Sequence, residues 1–200
     1  MPISTKQIPI FPLEVFLLPG EELPIRIFEP RYQELVNDLD KTGESFGIPF
    51  VLNEKIMAYG SEVELSNIVA RNSLGQMVVI VKGVRNFHLL QYSEAPTSKP
   101  YGSGAIEYID DDFRSTNPEL IVLAKKLKLE ISENLGILVK DEAISLASVA
   151  KGLMMTSEDK YTFYSLRSKT KMENFLIKRL RFIEQIQKQE KLLANNFSLN

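Results

Sequence analysis

The sequence predicts an α+β protein with its strands first and its helices after, and three observations carry that prediction. Before about residue 110 the apolar residues come in short runs bounded by Pro, Gly or acidic positions, which is the punctuation of strands. After "IDDDF" the apolar spacing changes from two residues to about 3.6, the helical period. No block of sequence repeats, and elements grouped in this way exclude an alternating βαβ architecture.

Taken in order, "QIPIFPL" (7–13), "ELPIRIF" (22–28) and "FGIPFVL" (46–52) read as strands. Their prolines have no N–H to give to a ladder, which places these runs at edges, bulges or strand ends. "GSEVELSNIVAR" alternates, with Val63, Leu65 and the pair Ile68 and Val69 on its apolar side. "NSLGQ" supplies a hairpin turn into "MVVIVKGVRNFHLLQY", a long strand in which Gly83 marks a bulge or a sharp bend. A polar loop, "SEAPTSKPYGS", leads to a last strand over 103–110. One helix interrupts this half and starts at Pro30, where proline is pre-set for φ and lacks the N–H that would go unbonded. Glu29 falls beside the positive end of the helix dipole. Tyr32, Leu35, Val36 and Leu39 form one apolar face, and Gly43 ends the helix.

In the second half, Asn117 and Pro118 open a helix that runs to Leu135 and is closed by Gly136. Asp141 caps a second helix, "EAISLASVAKGL", and Ser157, Glu158 and Asp159 start a third, "EDKYTFYSLR". The last helix runs from Lys169 to Leu193 with Met172, Leu176, Leu180, Ile183 and Ile186 as its stripe. The expected division is a β-rich domain over 1–112 with one helix near 30–42, a helical subdomain over 113–195 ending in a long basic helix, and a flexible tail over 196–200.

With 44% apolar and 25% charged residues, the chain has the composition of a globular protein and not of a disordered one. A net charge of −2 excludes a strongly basic nucleic-acid binder by bulk electrostatics, yet the charge is unevenly spread. Residues 160–191 hold nine Lys or Arg and three Asp or Glu, or +6, while residues 1–159 hold 15 and 23, or −8. Either the basic segment is the solvated face of a long helix or it marks an interaction surface. The absence of cysteine excludes disulfides, thiol catalysis and cysteine-ligated metal sites. The N-terminus lacks the basic and apolar regions of a secretory signal, and no apolar run approaches the roughly 20 residues that span a bilayer, so a cytoplasmic protein without membrane contact is expected.

Few chemistries find their residues here. No Gly is followed by the Lys of a P-loop, and "GSG" at 102–104 continues "AIEY" instead of completing a dinucleotide fingerprint. The single histidine, His88, lies within the long strand and has no nucleophile elbow to serve. The acidic run Asp110, Asp111, Asp112 lacks the spacing and the glycine of a calcium loop and reads as a solvated linker. No catalytic residue, metal site or cofactor is expected, and the chain reads as a non-enzyme.

Two short stretches stand out as candidate binding features. In "RIFEPRYQEL", Arg31 is able to fork two hydrogen bonds to a carboxylate or to backbone carbonyls, and Tyr32 brings an aromatic body with a polar tip. With Glu29 they either fix the helix on the sheet or line a surface where a partner docks. In "PLEVFLLPG", Phe16 and Leu17 sit between Pro12 and Pro19, and are either core or an apolar loop that meets hydrophobic peptide segments.

The run "IPIFPLEVFLLPGEELPIRIFEPRYQELVNDLDKTGESFGI" resembles the start of the Lon protease N-terminal domain family, also called the Lon substrate-binding domain. That family shows a P-L-F-P-L run, a P-G before a second strand, then I-F-E-P-R-Y, then F-G. Here these stand in order at 8–13, Pro19-Gly20, 27–32 and Phe46-Gly47, and the similarity extends over about residues 7 to 191. The chain carries neither the ATPase module nor the serine-lysine protease domain of a full-length Lon, so it looks like a stand-alone form of the domain. The resemblance implies a PUA-like β pseudo-barrel followed by a helical bundle. It also implies a module that binds unfolded or extended polypeptide, or a partner protein such as a separate protease or chaperone, with an adaptor role in protein quality control as one expectation. Glu29, Arg31, Tyr32, Phe16 and Leu17 are then the protein-binding candidates. PUA-like barrels elsewhere recognise RNA, and that alternative would use Lys178, Arg179 and Arg181, against the repulsion of the acidic remainder. Self-association through the last helix is left open.

Overall fold

The computed structural model describes residues 5–94, 99–109, 113–127 and 143–197. The chain divides into two compact units, Met1–Ile109 with Thr156–Thr162, and Asp110–Met155 with Phe163–Asn200.

The first unit is a ring of strands: β1 (Thr5–Ile10), β2 (Glu22–Ile27), β3 (Phe46–Leu52), β4 (Lys55–Arg71), β5 (Met77–Ser93) and β6 (Gly102–Tyr108). β5 makes the closure possible because it is long enough to serve two partners on one side. Its first half pairs antiparallel with β2, from Glu22↔Lys82 to Ile27↔Met77, and its second half pairs with β6, from Phe87↔Tyr108 to Ser93↔Ser103. β4 lies along its other side. β6 then pairs with β1, β1 runs parallel to β3 at Ile10↔Gly47, and β3 returns to β4. The ring β5-β4-β3-β1-β6 is closed, while β2 pairs only with β5 among the described residues. Closure removes most of the free edges that an open sheet would expose.

Alternation fills the inside. Met77, Val79 and Val81 of β5 point inward with Ile25 and Ile27 of β2, and against them lies α1 (Pro30–Thr42), which contributes Tyr32, Leu35, Val36 and Leu39. Each such side chain, fully buried, contributes roughly 1.5–3 kcal/mol. The ends of α1 are those the sequence expects: Pro30 starts it, and Gly43, at φ +67°, sends its N–H back to the Leu39 carbonyl. Asp38 on α1 accepts from Lys99 Nζ (2.7 Å) and Tyr101 Oη (2.9 Å). Burial, and next this bond to Asp38, pushes the Tyr101 phenol up to about 12.

Three strands differ from their expected bounds by more than one residue. The first strand ends at Ile10, but residues 11–13 continue beside β3, with the Phe11 N–H bonded to the Gly47 carbonyl and the Val51 N–H to that of Leu13. β4 starts at Lys55, five residues early, since β3 and β4 form a hairpin. Its two turn residues, Asn53 and Glu54, both lie in the left-handed region, at φ 50° and 62°. A primed two-residue turn of this kind favours Asn-Gly, and without the glycine the sequence gives no hairpin signal. The last strand stops at Tyr108. At Gly83 the β4–β5 register shifts, as expected of a bulge, and a second demand acts there. The Gly83 N–H bonds the Glu21 carbonyl, its carbonyl accepts from Gly20, and a Cβ would lie 2.4 Å from the Leu18 carbonyl oxygen. The loop before β2 therefore lies directly on the backbone at this point.

The second unit contains the short pair β7 (Arg114–Ser115) and β8 (Ile144–Ser145), with α2 (Pro118–Lys126), α3 (Leu146–Gly152), the end of α4 (Ser157–Ser165) and α5 (Lys169–Phe197). Asn117 caps α2, its side-chain oxygen accepting from Glu119 and Leu120 N–H groups. The helix closes at Lys126, with Leu127 at ψ 17° outside the helical range, and the expected stretch on to Leu135 lies outside the described residues. Ser145 caps α3 where Asp141 was expected, because Ile144 and Ser145 pair with β7 before the helix begins. Asp141, Gly136 and the acidic run Asp110, Asp111, Asp112 lie outside the described residues. Thr156 and Asp159 start α4 reciprocally, each side chain accepting from the other's backbone N–H. Along α5, Met172, Leu176 and Leu180 are buried, whereas Ile186 and Phe182 are exposed, so the stripe outruns its packing among the described residues.

Glu62 carries the ring's principal polar knot. It is 3% exposed and accepts from Ser45 Oγ (2.5 Å), Lys6 Nζ (2.9 Å) and Tyr108 Oη (3.1 Å), joining β1, β4, β6 and the entry to β3. Burial pushes this carboxyl up, but the bonds from Ser45 and Lys6 and the Lys6 charge outweigh it and hold it below its ordinary range. Hydrogen bonding to Glu62 correspondingly raises Lys6. A depressed carboxyl contributes stability above the unfolded Glu value of about 4.3 and loses it as pH falls through the folded value. We expect Glu62→Gln to cost about 2 kcal/mol in urea unfolding at neutral pH. The gap to the parent should narrow below roughly pH 4.

Candidate functional site

The loop at 11–21 determines what the strand unit presents. Its middle residue, Leu17, is buried, so its peptide groups need partners inside the protein. Ser61 supplies both, accepting from the Leu17 N–H (2.8 Å) and donating to the Leu17 carbonyl (2.8 Å), which also accepts from Asn86 Nδ2 (2.8 Å). Phe16 beside it is fully buried, edge-on to Phe50 (6.5 Å) and Tyr161 (6.3 Å). Tyr161 comes from α4, whose Lys160 bonds both Glu21 carboxylate oxygens at 2.7 Å. Glu21 in turn accepts from the Leu18 N–H. Phe16 and Leu17 are thus core and anchor, and the reading that gave them an exposed contact surface is corrected: burial leaves them nothing to offer a partner.

The three candidates at the β2–α1 corner do come together. Arg31 Nε donates to Glu29 Oε2 (2.8 Å), and Nη1 lies 3.5 Å from Glu94 Oε1, so the guanidinium spans two carboxylates. It also covers the Tyr32 ring at 4.9 Å, and that ring stacks on Phe11 with centroids 3.8 Å apart. Burial pushes the Tyr32 phenol up. Glu29 is the N-cap residue of α1, yet its side chain makes no cap bond and turns to Arg31 instead. Tyr32 is buried, while Glu29 and Arg31 remain part-exposed.

This stack of Arg31, Tyr32 and Phe11 forms one wall of a cleft of about 420 Å³. Leu13, Val51, Ile56 and Tyr92 complete its apolar lining, and Phe28 stands at its rim, 64% exposed. Phe28 escaped the sequence reading because it ends an alternating strand whose inward positions, Ile25 and Ile27, are core. The parity of that strand was the available signal: Phe28 falls on the outward count with Arg26. The lining offers apolar contact, ring stacking and a few fixed charges. His88 lies on β5 with its ring 5.0 Å from that of Tyr59. Among the described residues no three His, Asp or Glu side chains converge as a metal site.

The basic candidates on α5 do not form one patch. Lys178 and Arg181 line a common groove with Phe182, but Arg181 pairs with Glu119 of α2. Arg179 instead lies over the Phe175 ring at 5.8 Å. The neighbouring Glu184 takes Lys126 and Lys188.

Residues 7–196 match the family model of the ATP-dependent protease La (LON) substrate-binding domain. No curated protein matches the chain. Among solved structures, a Lon N-terminal domain protein from Xanthomonas campestris is 25% identical, with a TM-score of 0.61 over 90% of this chain and 98% of that one. The N-terminal domain of a Mycobacterium avium complex Lon protease shares the fold at 15% identity, with a TM-score of 0.60 over 88% and 98%. The chain belongs to the Lon substrate-binding domain family.

Since Phe16 is an anchor, truncating it should unfold the protein before it affects recognition directly. We expect Phe16→Ala to lose about 3–5 kcal/mol in chemical denaturation.

Proposed function

We propose that this member of the Lon substrate-binding family recognises unfolded or extended polypeptide at the β2–α1 corner. The observation that carries the reading is an exposed Phe28 beside a preformed apolar cleft whose wall, Arg31 on Tyr32 on Phe11, is already stacked. A rigid aromatic pocket with a few convergent polar groups suits a bulky side chain from a partner chain, since little freedom is lost there on binding. Glu29 and Arg31 fix the rim, and the main-chain groups of an extended segment find polar partners beside them. In this reading the protein has no reaction of its own and serves as an adaptor, delivering clients to a separate protease or chaperone. The RNA alternative has less to rest on, because Arg181 is engaged by Glu119 and Arg179 lies over Phe175.

Fluorescence anisotropy with a labelled unfolded polypeptide, a folded control and a short RNA separates these readings. Micromolar binding of the unfolded chain alone is expected. Phe28→Ala should weaken it about tenfold or more. Its unfolding midpoint should barely change, because an exposed ring contributes little to stability. Binding of RNA alone, steeply weakened by salt, would contradict the proposal.

A further inference from the structure

A second cavity adjoins the cleft at the β3–β4 turn. Val51 and Glu54 line both the cleft and this broader hollow of about 750 Å³, whose other walls include Glu14, Phe50 and the Thr156, Ser157 and Glu158 start of α4. The two cavities thus adjoin through Val51 and Glu54, a paired trough with Glu54 at the junction. The hollow's charge is one-sided: Glu14, Glu54 and Glu158 are exposed, and no Lys or Arg lines it among the described residues. At the cleft end, Glu29 and Glu94 share Arg31, and Arg26 is the other lining cation. Five carboxylates thus face two guanidiniums, a net of −3. Glu54 also occupies a left-handed turn position, φ 62°, that glycine fills with less strain.

We propose that this trough selects polypeptide segments in which Lys or Arg flank an aromatic or large aliphatic residue. The apolar residue enters the cleft beside Phe28, and the basic flanks meet the carboxylates along the hollow. A concave surface of one sign raises the local concentration of the opposite charge and penalises like charge, so net-basic stretches are favoured and acidic ones rejected. The inference rests on the polypeptide-binding reading above and adds to it the chemistry of the client.

The test uses the full chain and three labelled unstructured peptides that share one central Leu-Phe-Leu block, flanked by Lys, by Gln or by Glu. The Lys-flanked peptide should bind about tenfold more tightly than the Glu-flanked one, with Gln between, and the spread should shrink as salt screens the trough. Glu54→Gly should narrow the spread while leaving the unfolding midpoint unchanged or higher, since the turn relaxes. Equal affinities for the three peptides would overturn the charge selection and leave polypeptide binding standing. An undiminished spread in Glu54→Gly would overturn the trough as its source. Failure of all three peptides to bind would overturn the underlying reading itself.

Discussion

Both peptide groups of Leu17 are buried, and the strand unit is organised around satisfying them. An unpaired buried N–H or carbonyl costs about as much as a lost hydrogen bond, so the loop at 11–21 is held where Ser61 and Asn86 can reach it. Gly83 permits the approach because any Cβ there would meet the Leu18 carbonyl. Phe16 then inserts among Phe50 and Tyr161, and Lys160 clamps Glu21 from outside. With this loop fixed, Phe11 and Leu13 are delivered to the cleft wall, and Tyr32 has a ring to stack on. The candidate site is thus shaped by a contact that itself touches no ligand.

Ring closure supplies the frame for that contact. β5 meets β2 and then β6 along one side, so a single long strand connects the corner carrying Phe28 to the closing seam. Glu62 fastens the same seam through Lys6, Ser45 and Tyr108. These bonds link residues 17 to 56 positions apart and so tie together segments that are distant in sequence. A preformed wall is what makes an apolar cleft useful for binding, because its side chains need little ordering when a partner arrives.

Local signals were legible in the sequence and distant ones were not. Pro30 and Gly43 bounded α1 correctly because each acts through its own φ. The buried stripe of Met172, Leu176 and Leu180 followed from helical spacing alone. The β3–β4 hairpin was hidden because Asn53 and Glu54 adopt a turn that glycine usually announces. Ser145 replaced Asp141 as a cap because a strand pairing, invisible in local sequence, sets where α3 begins. Phe16 and Phe28 are the same residue type with opposite fates. Phe16 turns inward against Phe50 and Tyr161, and the Ser61 bonds that pin its neighbour Leu17 span 44 positions that local sequence does not show. The basic run was readable as charge, but its pairing of Arg181 with Glu119 needed the α2–α5 packing.

The central claim is that a pinned loop presents a preformed cleft at the β2–α1 corner to polypeptide. Backbone amide NMR during titration with an unfolded chain tests it most directly. Shifts confined to Phe28, Arg31, Val51, Ile56 and Tyr92, with a Leu17 amide that stays exchange-protected throughout, are the predicted result. Shifts centred on Lys178 and Arg181, or a Leu17 amide that exchanges freely before the partner is added, would contradict the account.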